Sequence, residues 1–189
     1  DYRSSRGLGD VYKRQEETKS RNLNFFDATC PLVTKVHMEV IKHAKAGRDI
    51  ILIGHKGHPE VEGTMGRHIN NANSSIYLVQ NENDANSIKL NKKNELAVVT
   101  QTTLSVDETK SIISILRDRF PKIITPKKDD ICYATQNRQD AVKQLALESD
   151  FMIVVGSKNS SNSNRLKELG ENCGCKSVLI DEFLSLIHI

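Results

Sequence analysis

The chain has 189 residues, 38% hydrophobic and 27% charged, with 27 Lys and Arg against 24 Asp and Glu for a net charge of +3. This is the composition of a globular protein large enough for one or two cored domains, and the charge is too mild to make nucleic acid a partner. No apolar stretch approaches the roughly 18–20 residues that cross a bilayer, and no charged-apolar-small signal-peptide pattern is read in the first residues, so none is expected there. Four cysteines at this length point to a reducing, cytosolic setting rather than a disulfide framework.

From the amino end, residues 1–15 (DYRSSRGLGDVYKRQ) carry no helical or strand period. They and residues 184–189 (LSLIHI) resemble translated sequencing-adapter tails, and both are expected to be non-native and outside the fold. Pro31 then opens a helix on which Leu32, Val36, Val40 and Ala44 recur at helical spacing. Ile50–Gly54 is a β-branched run that predicts a buried strand. A helix is expected from near Glu60, with further strands at Ile76–Val79 and Leu96–Thr100. Ser105 and Glu108 make a capping box for a helix carrying Ile112, Ile113, Ile115, Leu116 and Phe120, which Pro121 ends. A helix over Ala134–Glu148 directs Val142, Leu145 and Ala146 inward. Strand Met152–Gly156, helix Asn164–Gly170 and strand Val178–Ile180 follow. Alternating strands and helices imply parallel sheets, here in two α/β units over 16–104 and 105–183.

The division in two rests on an internal echo. Asp27-x-x-Cys30 returns 102 positions later as Asp129-x-x-Cys132, and at the same offset Ile51–Gly54 returns as Ile153–Gly156 and Lys56 as Lys158. A repeat with one cysteine per unit suggests units placed around a shared centre, where symmetry-related thiolates can hold a metal cluster. Cys30 and Cys132 each precede a predicted helix, whose unpaired N–H groups and partial positive charge favour thiolate.

The loops after the matching strands form the second constellation. His55-Lys56-Gly57-His58-Pro59-Glu60 leaves a strand at its carboxyl end, where ligands bind in open parallel sheets. Its counterpart, Ser157 to Asn164, pairs Ser160 with His58 and Asn162 with Glu60. Neutral donors and a lysine at a helix start suit phosphate oxygens, and Gln101-Thr102-Thr103 adds polar groups at the same edge. Glu60, beside a cluster and a histidine, can carry a proton to a substrate hydroxyl. His55, His58 and Glu60 also allow a zinc reading, although the spacing is not the helical pair of metalloproteases. Cys173-Gly174-Cys175 lies away from the echo and reads as incidental.

Five blocks of residues, in order across nearly all of 16–183, resemble the 4-hydroxy-3-methylbut-2-enyl diphosphate reductases, the IspH or LytB family. They are Phe26–His37 (FDATCPLVTKVH), Gly54–Thr64 (GHKGHPEVEGT), Thr100–Ser105 (TQTTLS), Asp130–Thr135 (DICYAT) with Asn137-Arg138-Gln139, and Gly156–Arg165 (GSKNSSNSNR). The resemblance implies an oxidoreductase of non-mevalonate isoprenoid synthesis that removes the hydroxyl from an allylic diphosphate, giving isopentenyl and dimethylallyl diphosphate. It implies three α/β units around a [4Fe-4S] cluster, each giving one cysteine, with the fourth iron open to the substrate hydroxyl.

Carried over by position, Cys30 and Cys132 match cluster ligands and Glu60 the proton-delivering acid. His58, Thr102, Ser160, Ser161 and Asn162 match substrate-binding positions. Reduced ferredoxin or flavodoxin would supply electrons, in a bacterial cytoplasm, without nucleic acid or membrane. The unit bearing the family's first cluster cysteine, with two further histidines, has no counterpart here, nor does a C-terminal diphosphate-binding serine. The chain alone is therefore expected to have little activity. The alternatives are a non-catalytic α/β diphosphate-binding module and, third, a zinc hydrolase.

Overall fold

The computed structural model describes residues 17–24, 26, 28–68, 73–90, 94–126 and 130–181. The two terminal stretches read as non-native lie outside them, as do Asp27 and Asp129, the acidic ends of the echo. Two compact units result.

The first unit begins with helix α1 (Pro31–Lys45), which opens on Pro31 and turns Val36, Val40 and Ala44 inward. Strand β1 (Asp49–Ile53) follows and is buried along its whole length. Helix α2 (Pro59–Gly66), strand β2 (Ile76–Val79), the short helix α3 (Glu82–Ser87) and strand β3 (Leu96–Thr100) come next. The sheet is parallel in the order β2-β1-β3, with Ile50 opposite Ile76 and Ala97. Val36, Val40, Ala44, Ile50, Leu52, Val61 and Val99 form its core. Because β2 and β3 lie on opposite sides of β1, the chain reverses its lateral direction between β1 and β3. In open parallel sheets such a reversal marks the carboxyl ends of the strands as the usual ligand position.

Helix α4 (Val106–Arg119) starts as expected, with Ser105 Oγ accepting the Glu108 N–H at 3.4 Å. The Glu108 carboxylate completes no box, because it pairs with Arg165 at 2.9 Å. Most of α4 returns to the first unit. The second unit comprises 102–108 and everything from Ile131 on, where the sequence placed a single cut between Leu104 and Ser105.

The second unit contains helix α5 (Tyr133–Glu148), strand β4 (Phe151–Val155), helix α6 (Ser161–Asn172) and strand β5 (Lys176–Ile180). β4 and β5 pair in parallel, Ile153 opposite Val178. Met152 and Val154 pack with Val142, Ala146, Leu169 and Cys175. The other face of β4 is open, with Val155 74% exposed. Leu145 does not turn inward but is 52% exposed. The buried stripe of α5 is Thr135, Gln139, Val142 and Ala146, and Leu145 falls a full 100° step off Ala146.

The echo survives as structure. β1 and β4 have the same bounds at the 102-residue offset, and so do the first residues of α1 and α5 and of α2 and α6. Gly54 N–H bonds Val79 O at 3.0 Å, and Gly156 N–H bonds Ile180 O at 2.8 Å. A Cβ on Gly54 would stand 2.6 Å from Val61 Cγ2, and one on Gly156 would stand 2.9 Å from the equivalent Ser163 Cβ. Glycine here lets each helix start close against its strand end. Gly54→Ala and Gly156→Ala are each expected to cost about 1–3 kcal/mol by overpacking. Equal thermal midpoints for variant and parent would refute this account.

Candidate functional site

In the first unit the loop after β1 is braced from both sides. Gln101, buried at the end of β3, accepts the His55 N–H on Oε1 at 3.0 Å, and Gln80, after β2, accepts the Lys56 N–H at 2.9 Å. His58 N–H bonds His55 O at 3.1 Å, and Gly57 takes a φ of 81° to make the turn. Four amides of this loop, counting Glu60, are thus committed to the protein. An anion there would therefore be met mainly by side chains.

His58 is the N-cap of α2, its Nδ1 accepting the Glu60 N–H at 3.2 Å. Histidine is not a usual cap; Pro59 at the first helical position made this start legible. An Nδ1 that accepts is unprotonated, so neutral His58 carries its proton on Nε2 and can donate from there. Burial, helped by nearby His55, lowers the His58 pKa below its ordinary value near 6.5. The neutral form is therefore favoured in the fold. A group whose folded pKa is depressed adds stability above its unfolded pKa and loses it as pH falls through the folded one. The folded protein should lose stability as pH drops below about 6.5, partly through His43, whose pKa burial also lowers. His58→Asn keeps a capping oxygen and should flatten the pH dependence of the thermal midpoint. An unchanged pH slope in that variant would remove His58 from the effect.

The second unit gathers the other positions. Cys132 N–H bonds Thr102 O at 2.9 Å, and Thr103 Oγ1 meets Ser161 Oγ at 3.2 Å. Buried Gln139 holds the intervening segment, accepting from Val106 N–H at 3.1 Å and donating to Leu104 O at 2.8 Å. Ser160 caps α6 through the Ser163 N–H at 3.2 Å. The Ser161 and Asn162 amides bond no other group among the described residues, and buried Asn162 Oδ1 has no partner. Two amides at a helix start can receive an anion. Arg165 adds little charge, because Glu108 and Glu168 hold it at 2.9 and 3.0 Å.

Cys30 and Cys132 are the N-caps of α1 and α5, with nearly identical backbone angles (φ −56°, ψ 133° and φ −58°, ψ 129°). Neither side chain makes a capping bond. Cys30 is exposed and Cys132 half-buried. Soft sulfur donors that are reachable and otherwise unengaged fit iron–sulfur ligation. Among the described residues no three His, Cys, Asp or Glu side chains converge as a metal site, so His55, His58 and Glu60 do not form the zinc set.

The fold and these residues define a class: repeated α/β units whose cysteine-headed helices accompany polar loops at the carboxyl edge of parallel strands. The model of the family described as LytB protein matches residues 5–187. The chain belongs to that family. It is 63% identical over 168 residues to the 4-hydroxy-3-methylbut-2-enyl diphosphate reductase of Alcanivorax borkumensis, covering 89% of this chain and 54% of the relative. With the enzyme of the same name from Chromohalobacter salexigens it shares 60% over 167 residues, 88% of this chain and 53% of the relative. The fold resembles the solved E-1-hydroxy-2-methyl-but-2-enyl-4-diphosphate reductase of Plasmodium falciparum, with a TM-score of 0.81 and 38% identity over 93% of this chain and 55% of that one. The chain spans about half the length of the curated relatives it matches.

Proposed function

We propose that a polypeptide of the relatives' full length carrying this sequence reduces (E)-4-hydroxy-3-methylbut-2-enyl diphosphate to isopentenyl and dimethylallyl diphosphate. The observation that carries this is the pair Cys30 and Cys132, at the same N-cap position of the same α/β plan in a chain of the LytB family. The reaction breaks the allylic C–O bond and consumes two electrons and two protons, releasing water. A [4Fe-4S] cluster ligated by Cys30, Cys132 and a third thiolate from outside this chain supplies electron transfer and a Lewis acid when bound.

The chain's own residues bind and protonate. The free amides of Ser161 and Asn162, with the Asn162 side chain and Ser160, take the diphosphate oxygens. His58 donates from Nε2, Thr102 orients the substrate, and Glu60 delivers the proton on which the hydroxyl leaves as water. The electrons come singly from reduced ferredoxin or flavodoxin in the cytoplasm. No helix among the described residues is long and apolar enough to cross a membrane.

The test is anaerobic iron and sulfide reconstitution of this chain beside a form extended upstream through a third cysteine. Absorption near 400 nm, roughly the thiolate-to-iron region, and turnover only in the extended form are the expected results. An extended form that stays colourless yet binds the diphosphate would replace this reading with a non-catalytic binding module.

A further inference from the structure

Asp130 is the last residue of the first unit and stands two positions before Cys132. Its side chain is fully buried. Lys35, just over one turn along α1 from Cys30, donates from Nζ to Asp130 Oδ1 at 2.9 Å, and the Thr100 N–H at the end of β3 donates to Oδ2 at 3.3 Å. Glu39, one turn further along α1, faces the same ammonium at 3.8 Å. One carboxylate therefore fastens together the helix that Cys30 heads, the end of β3, and the chain about to enter Cys132.

Stability alone is a poor reason for this arrangement. Desolvating a carboxylate and half-burying an ammonium offsets much of their attraction, and a well-packed apolar pair often serves equally well. What an apolar pair cannot do is fix direction, since only hydrogen bonds specify where Asp130 sits along α1 and against β3. Groups just outside a metal's own ligands act in this way on the ligands themselves.

We propose that Lys35 and Asp130 are positioning residues for the Cys30 and Cys132 thiolates, an inference that rests on the cluster reading above. Neither residue touches substrate or iron in this role. Lys35 registers α1 behind Cys30, and Asp130 fixes the chain two residues ahead of Cys132, so each sulfur leaves a backbone that is held in place.

The test uses the full-length protein carrying this sequence, reconstituted anaerobically, as wild type, Lys35→Met, Lys35→Arg and Asp130→Asn. Lys35→Met and Asp130→Asn are expected to lose iron to a chelator roughly ten- to hundredfold faster than wild type, with an altered electron paramagnetic resonance lineshape of the reduced cluster. Lys35→Arg should restore both. Wild-type iron loss and lineshape in Lys35→Met and Asp130→Asn would overturn the proposal. Should a single variant not fold, the apolar pair Lys35→Met with Asp130→Leu supplies the folded comparison by circular dichroism. Iron lability in that pair supports positioning, and a normal cluster refutes it. A wild-type protein that takes up no iron overturns the cluster reading, and the role of this pair with it.

Discussion

Glu60→Gln in the full-length protein is expected to lower kcat about 10²–10⁴-fold and leave KM for the diphosphate nearly unchanged. The structure makes this a clean substitution. The bond that caps α2 runs from the Glu60 backbone amide to His58 Nδ1, and glutamine keeps that amide. The loop bonds from His55 to Gln101 and from Lys56 to Gln80 involve no Glu60 atom. Loop geometry, the His58 tautomer and the start of α2 should therefore survive. What is removed is a proton that can be given up. A loss confined to kcat places Glu60 in proton delivery, whereas one expressed mainly in KM would make it a binding residue. A variant within about threefold of wild type on both counts would leave the hydroxyl without a proton donor in this loop, and Glu60 would have to be withdrawn from the mechanism.

Much of the fold was legible because burial left a period in the residues. Ile50–Gly54 and Leu96–Thr100 are short, almost wholly apolar runs, and the strands found there, Asp49–Ile53 and Leu96–Thr100, are buried throughout. The echo reached further than any single element, since it paired His58 with Ser160 before either was seen as a cap, although the helix read from Asn164 starts three residues earlier, at Ser161. Helix α3 was missed because it has no apolar stripe. Only Ala85 is buried, and the helix is started by Asn81 accepting the Asp84 N–H. The inward assignment of Leu145 failed because a leucine between two apolar neighbours fits two stripes, and only packing chooses one.

The supports of the site were the least legible part. Gln80 and Gln101 each follow a strand directly, a position that could have marked them as loop clamps. Lys35 and Asp130 lie 95 residues apart, and no local pattern joins them. The same limit applies to donors. A loop rich in serine, asparagine and lysine looks open to phosphate from its composition, yet the His55–Glu60 loop spends its amides on Gln80, Gln101, His55 and His58. The start of α6, by contrast, keeps the Ser161 and Asn162 amides to offer. Composition names the groups available, and the fold decides which are already used.

The two cysteines predict opposite changes in stability and function on one substitution. An N-cap normally carries Ser, Thr, Asp or Asn, whose oxygen accepts an amide of the first turn, and loss of that bond costs about 0.5–2 kcal/mol. Cys30 and Cys132 occupy such positions and cap nothing, so α1 and α5 begin without this support. Ser160, the cap of α6, accepts the Ser163 N–H at 3.2 Å. Cys30→Ser and Cys132→Ser should each raise the stability of the iron-free protein by roughly 1 kcal/mol, read as a higher thermal midpoint. Each should also abolish the 400 nm chromophore and turnover in the reconstituted full-length protein, since a hydroxyl does not replace thiolate on iron at neutral pH. Retention of a normal cluster by both serine variants would remove these cysteines as ligands. Loss of stability in the iron-free variants would instead mean that each sulfur contributes packing here, and that its place at the helix start has a structural reason. The combination expected, a firmer apo-protein with no cluster, separates residues held for ligation from residues held for the fold.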